Sequence, residues 1–149
     1  LMQAHRQGRA RVTAVEIDQA LAAALERTYG PDGLRVVRAS ASQMPLPDAS
    51  FDLVVACTML HHVPTVAGQD AVLREAIRVL RPGGVFVGSD SLPSALLRLA
   101  HIGDTFVPID VDGLPGRLRA AGGLDVDVEE RASFVVFRCR RPAEPVPGP

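Results

Sequence analysis

The chain has 149 residues, 47% of them hydrophobic, with 16 basic and 17 acidic side chains and a formal net charge of -1. That length suits one domain able to bury a core. A charge balance this close to neutral argues against binding to nucleic acid or to an anionic membrane. All sixteen basic residues are arginines, scattered along the chain. The two cysteines, Cys57 and Cys139, are too far apart for a zinc motif or a disulfide framework, which points to reduced thiols. No apolar run is long enough to cross a membrane and no signal peptide is visible, so the expected compartment is the cytoplasm.

The chain opens at Leu1, and Leu1 to Gln7 reads as the tail of a helix capped by Gly8. Arg11 to Ile17 is short and β-branched, hence a strand. Asp18 suits the N-cap of a helix running to about Tyr29, with Leu21, Leu25 and Tyr29 as an apolar stripe. Gly30-Pro31-Asp32-Gly33 stops that helix, and Leu34 to Ala39 is a second strand. A polar loop from Ser40 to Ser50 leads into a buried strand, Phe51 to Cys57, and then into the loop Thr58 to Pro64. Gln69 to Leu80 reads as a helix that buries Val72, Leu73, Ala76, Ile77 and Leu80. Pro82 cannot continue it, and Gly83-Gly84 turn the backbone into a strand from Val85 to Asp90.

Pro93 to about His101 is expected as a short helix and Asp112 to Ala121 as another, ended by Gly122-Gly123. Leu124 to Glu129 and Ser133 to Arg140 have almost nothing between them. So short a link fits an antiparallel hairpin and cannot hold a parallel crossover. The expected organisation is one domain over residues 1–141 and a disordered proline-rich tail over 142–149. Alternating strands and helices followed by a hairpin predict an α/β fold. Its sheet is mostly parallel, with helices on both faces and a C-terminal antiparallel hairpin. In such sheets ligands sit at the carboxyl ends of the strands, where Glu16, Ser40 and Cys57 fall.

Four patterns occur in one order: Val12 to Asp18, a strand ending in an acid; Ser40 to Asp52, a loop closing on Phe-Asp; Leu60-His61-His62-Val63; and Arg78 to Gly84. The set resembles the class I S-adenosylmethionine-dependent methyltransferases, of the small-molecule, methyltransferase-domain type, over residues 10–140. The resemblance implies a Rossmann-like fold, S-adenosyl-L-methionine as cofactor and a small-molecule methyl acceptor, with no nucleic acid or membrane as partner. It makes Glu16 the ribose-binding acid, since a carboxylate at a strand end accepts strong bonds from two hydroxyls. Asp18 reads as a helix cap and not as a ligand.

Ile17 and Met44 would lie against the two faces of the adenine, or else belong to the core. Ser40 stands where the family usually has an aspartate, which leaves the adenine amino group to its hydroxyl or to the backbone of Ala41. Cys57, read as a buried thiol and not a nucleophile, and Thr58 lie where the cofactor's methionine part passes. His61 and His62, facing opposite ways in an extended loop, offer a base, with His62 as the choice. Methyl transfer is a direct displacement that needs alignment more than a protein nucleophile. No metal site is expected.

The family's strand and glycine-rich turn upstream of the ribose acid have no match in this chain. The lost strand would lie mid-sheet, between the strands ending at Glu16 and Cys57. Its absence leads us to expect an N-terminally incomplete domain that is poorly stable and binds the cofactor weakly or not at all, with methyl transfer expected of the intact parent. Two alternatives stand beside the enzyme: a non-catalytic module of the same fold, and an NAD-dependent oxidoreductase. The hairpin argues against the oxidoreductase, as does the absence of lysine for a Tyr-x-x-x-Lys pair.

Overall fold

The computed structural model describes residues 7, 8, 10–92 and 106–143. The expected helix at 93–101, all but Gln7 of the one at 1–7, and most of the expected tail lie outside that range. The chain divides into two compact units, Leu1–Pro45 and Leu46–Pro149.

In the first unit, β1 (Thr13–Glu16) and β2 (Arg35–Arg38) are parallel, in register from Thr13↔Arg35 to Glu16↔Arg38. The helix between them, α1 (Gln19–Tyr29), starts as expected, with the Asp18 carboxylate accepting from the Leu21 amide at 2.8 Å. The expected stripe is shifted. Ala22 is the buried residue of α1, Leu25 and Tyr29 are half-buried, and Leu21 in the first turn is 58% exposed. Gly33 lies at φ +91°, a conformation that a residue with a Cβ rarely adopts, and its amide closes the turn on Gly30.

The second unit holds β3 (Phe51–Cys57), a 3₁₀ turn (Leu60–His62), α2 (Val66–Val79), β4 (Leu80–Ser91), α3 (Leu114–Ala120), β5 (Leu124–Glu130) and β6 (Phe134–Arg140). Its sheet runs in the order β3-β4-β6-β5. β3 and β4 are parallel, and β6 is antiparallel to both β4 and β5, which bears out the expected hairpin. Among the described residues, β1 and β2 form a sheet of their own.

α2 begins three residues before the expected Gln69 because Thr65 caps it, its hydroxyl accepting from the Gly68 amide at 3.0 Å. It ends at Val79, and Leu80 already belongs to β4. The pairing then steps from Phe51↔Leu80 to Leu53↔Val85, so Arg81-Pro82-Gly83-Gly84 forms a bulge inside one long strand. The Arg141 guanidinium donates to the carbonyls of Arg78 and Leu80, both at 2.6 Å, satisfying acceptors that the helix end leaves over.

Along β4, Phe86, Gly88 and Asp90 share one face and are buried with Val135, Phe137 and Cys139 of β6. Gly88 is required there. A Cβ would come within 2.2 Å of the Phe137 ring, which lies over its backbone and meets Phe86 edge-on at 5.3 Å. Val72, Leu73, Ala76 and Ile77 of α2 and Leu114 and Leu118 of α3 complete the core. Burial of the Cys139 thiol pushes its pKa up to about 11. Leu53 and Val55, on the opposite face, remain 43% and 37% exposed. No helix among the described residues is long and apolar enough to cross a membrane.

Candidate functional site

In the first unit, β1 and β2 are parallel, so their carboxyl ends meet at one rim. Glu16 ends β1 half-buried, and its Oε1 accepts from the Asp18 amide at 2.8 Å, which fixes the carboxylate against the turn into α1. The Glu16 carbonyl accepts from the Ala39 amide at 3.1 Å, so the chain leaving β2 is fastened beside it. Two residues past β2, the Ser40 hydroxyl meets the Ser42 hydroxyl at 2.8 Å and accepts from the Ser42 amide at 3.2 Å. A hydroxyl has one hydrogen and two lone pairs, so Ser40 keeps some capacity for a ligand. Ala41 and Met44 are half-buried in the same turn region. Ile17 is 68% exposed, an apolar side chain in water beside a carboxylate.

In the second unit, the carboxyl ends of β3 and β4 also coincide, with Cys57 opposite Ser89. The Cys57 thiol is exposed, which corrects the expectation of a buried one. It ends an edge strand and shares a face with the exposed Leu53 and Val55. Thr58 follows at φ +49°, its amide bonded to the Ser89 carbonyl at 2.8 Å. A β-branched residue in the left-handed region is strained, and such strain gathers at functional sites.

The two histidines are not extended. They lie in the 3₁₀ turn with ring centroids 4.1 Å apart, because both flanks of the turn are tied down. One tie is Asp90, fully buried at the end of β4. Its Oδ2 accepts from the amides of Leu60 at 2.8 Å and His61 at 3.3 Å, and its Oδ1 accepts from the Ser91 amide at 2.7 Å and from His61 Nδ1. The carboxylate can only accept, so Nδ1 of His61 carries the proton. His61 is buried and His62 is exposed. Asp90 is expected from sequence only as the start of a segment, Asp90 to Val111, lying over the pocket, with no role of its own. Its signal was a charge in phase with Phe86 and Gly88 on the buried face of a strand, where only a satisfied polar group is tolerated.

Chemically, the first unit offers a fixed carboxylate, a serine turn and an exposed apolar side chain at one strand rim. The second offers a strained turn and an exposed imidazole backed by a buried His–Asp pair. Among the described residues, no group of three His, Cys, Asp or Glu side chains is placed to hold a metal ion.

Comparison with known proteins gives this geometry its context. The methyltransferase-domain family profile matches residues 1–88. The 27-O-demethylrifamycin SV methyltransferase of Amycolatopsis mediterranei is 40% identical over 93 residues, which is 56% of this chain and 33% of that protein. The fatty-acid O-methyltransferase of Mycolicibacterium smegmatis is 39% identical over 67 residues, 45% of this chain and 23% of that protein. The chain thus spans a third or less of the length of these curated relatives. Among solved structures, phosphoethanolamine N-methyltransferase 2 of Haemonchus contortus, in complex with phosphomonomethylethanolamine and S-adenosylhomocysteine, superposes with a TM-score of 0.77 at 15% identity. The match covers 94% of this chain and 46% of that one, a likeness of fold. The family match takes in more than half of the residues and the α/β topology agrees with it: the chain belongs to the class I S-adenosylmethionine-dependent methyltransferases.

Proposed function

We propose that this chain serves S-adenosylmethionine-dependent methyl transfer to a small-molecule acceptor. The observation that carries the reading is Glu16, a carboxylate held by one backbone amide at the carboxyl end of β1. Its second oxygen has no hydrogen bond among the described residues, so it is available to the hydroxyls of a ribose. Ile17 supplies an apolar surface for one face of an adenine, Met44 the other, and Ser40 and Ala41 the polar contacts at its edge. These groups suit a nucleoside. When bound, S-adenosylmethionine supplies an electrophilic methyl group on sulfur.

In the second unit, Cys57 ends β3 and Thr58 follows it, at a strand rim of the kind where ligands sit. The exposed imidazole of His62 takes the proton of an acceptor that must lose one. No protein nucleophile is needed. The two relatives are named for a rifamycin and for fatty acids, and small acceptors of that kind are the class proposed here.

Competition tests the reading. Labelled S-adenosylhomocysteine, held at a concentration high enough for weak binding, is expected to be displaced by S-adenosylmethionine and left in place by NAD. Displacement by NAD alone would overturn it in favour of an oxidoreductase.

A further inference from the structure

Gln69, the fourth residue of α2, is 1% exposed. A buried carboxamide has two hydrogens and an acceptor to satisfy, and the surroundings meet all three. Nε2 donates to the Leu60 carbonyl at 3.1 Å and to the Val107 carbonyl at 2.9 Å. Oε1 accepts from Nη2 of Arg117 at 3.1 Å. Arg117 has only hydrogens to offer, so it dictates which end of the carboxamide faces it. A flipped amide would set an oxygen against two carbonyls. Arg117 is itself fixed through Nε to Asp70 at 2.6 Å.

A second tie runs the other way, from the Val107 amide to the His61 carbonyl at 2.8 Å, and the Phe106 ring meets the His61 ring edge-on at 5.7 Å. The Leu60–His62 turn is thus held by Asp90 through its amides and by Gln69 and Val107 through its carbonyls.

We propose that Gln69 is a positioning residue: oriented by Arg117, it locks the segment 106–109 onto the turn bearing His62, so that the two present a single preformed wall to the methyl acceptor. The role of this wall rests on the reading of His62 given above. Alignment of reacting groups is the main demand of the displacement, and a wall assembled before the acceptor arrives costs less to order afterwards.

The test uses Gln69→Glu and Gln69→Met in the full 149-residue chain. Glutamate still accepts from Arg117 but has no hydrogen for either carbonyl. Methionine keeps the length and loses every bond. In both variants the Val107 amide is expected to exchange with solvent about 10- to 100-fold faster. The ring resonances of His62 shift, while the β4–β6 ladder keeps its protection. Adding Arg117→Met to Gln69→Met is expected to speed Val107 exchange no further, because Arg117 acts through Gln69.

Unchanged Val107 exchange overturns the proposal. So does a His62 signal that stays put while Val107 loosens, or a uniform loss of protection across the ladder, which would mark Gln69 as a folding residue only. Titration of S-adenosylhomocysteine into the same samples reports on the cofactor reading separately. Amide shifts confined to residues other than Glu16 to Asp18, Ser40 and Ala41 count against that reading and leave the Val107–His62 coupling to be judged by exchange.

Discussion

At one edge of the four-stranded sheet, β5 carries Asp125, Asp127, Glu129 and Glu130, all exposed, and its pairing with β6 slips between Leu124 and Asp127. At the other edge, β3 carries Leu53 and Val55 in partial contact with water, and its only exposed charge, Asp52, is tied to Arg81 at 2.6 Å. Charge and irregularity are the usual means by which a sheet edge avoids pairing with another chain. β5 has both. The pairing of β3 shifts too, between Phe51 and Leu53, but from Leu53 to Cys57 β3 is an uncharged, in-register run typical of a strand with neighbours on both sides. The contrast shows that apolar patterning can mark a strand as interior even where one neighbour pairs with it among the described residues. The carboxyl end of that apolar strand carries Cys57, Thr58 and the histidine turn.

The sharpest contrast is expected from cysteine alkylation. Cys57 ends the exposed edge strand, whereas Cys139 is buried with its pKa pushed up to about 11, so little thiolate forms there at pH 8. A maleimide or iodoacetamide time course read by mass spectrometry is expected to modify Cys57 in the folded chain and Cys139 only on unfolding. Equal rates would mean that the β6 side of the sheet is as open as the β3 edge.

Next in size is Asp90→Ala, in the strand between the edges. Removing a buried carboxylate that serves four donors, one of them a buried imidazole, is expected to cost about 3–5 kcal/mol in urea unfolding. Asp127→Ala on the β5 edge is expected to fall within about 0.5 kcal/mol of the wild type.

The most direct test of the edges comes from a charge exchange. Val55→Lys is expected to reduce concentration-dependent association in sedimentation velocity, and Asp127→Val to increase it, each with a stability change of at most about 1 kcal/mol. Association unaffected by Val55→Lys would remove the β3 edge as the sticky one.

Much of this fold was legible in the chain because its periodicities are unambiguous. The run Phe51 to Cys57 matches β3 residue for residue, and the short link after Glu130 forced the hairpin. Asp18 and Gly122 fell at helix ends where their chemistry predicts them. What was not legible is tertiary. Gln69 reads as the polar start of a helix, and nothing local says that carbonyls from residues 60 and 107 converge on it. The two histidines read as an extended pair because the buried Asp90 that curls their turn lies 29 residues on. Cys57 read as buried because its strand is apolar, although that strand forms an edge of the sheet.

We propose that the carboxylate ending β1 holds the ribose of S-adenosylmethionine. A titration of isotope-labelled chain with S-adenosylhomocysteine, followed by amide resonances, detects even weak binding. Shifts are expected at Glu16 to Asp18 and at Ser40 and Ala41. Glu16→Ala is expected to weaken the affinity by about 1.5–3 kcal/mol, roughly 10- to 150-fold. Shifts confined to other residues, or an affinity unchanged by Glu16→Ala, would contradict the proposal.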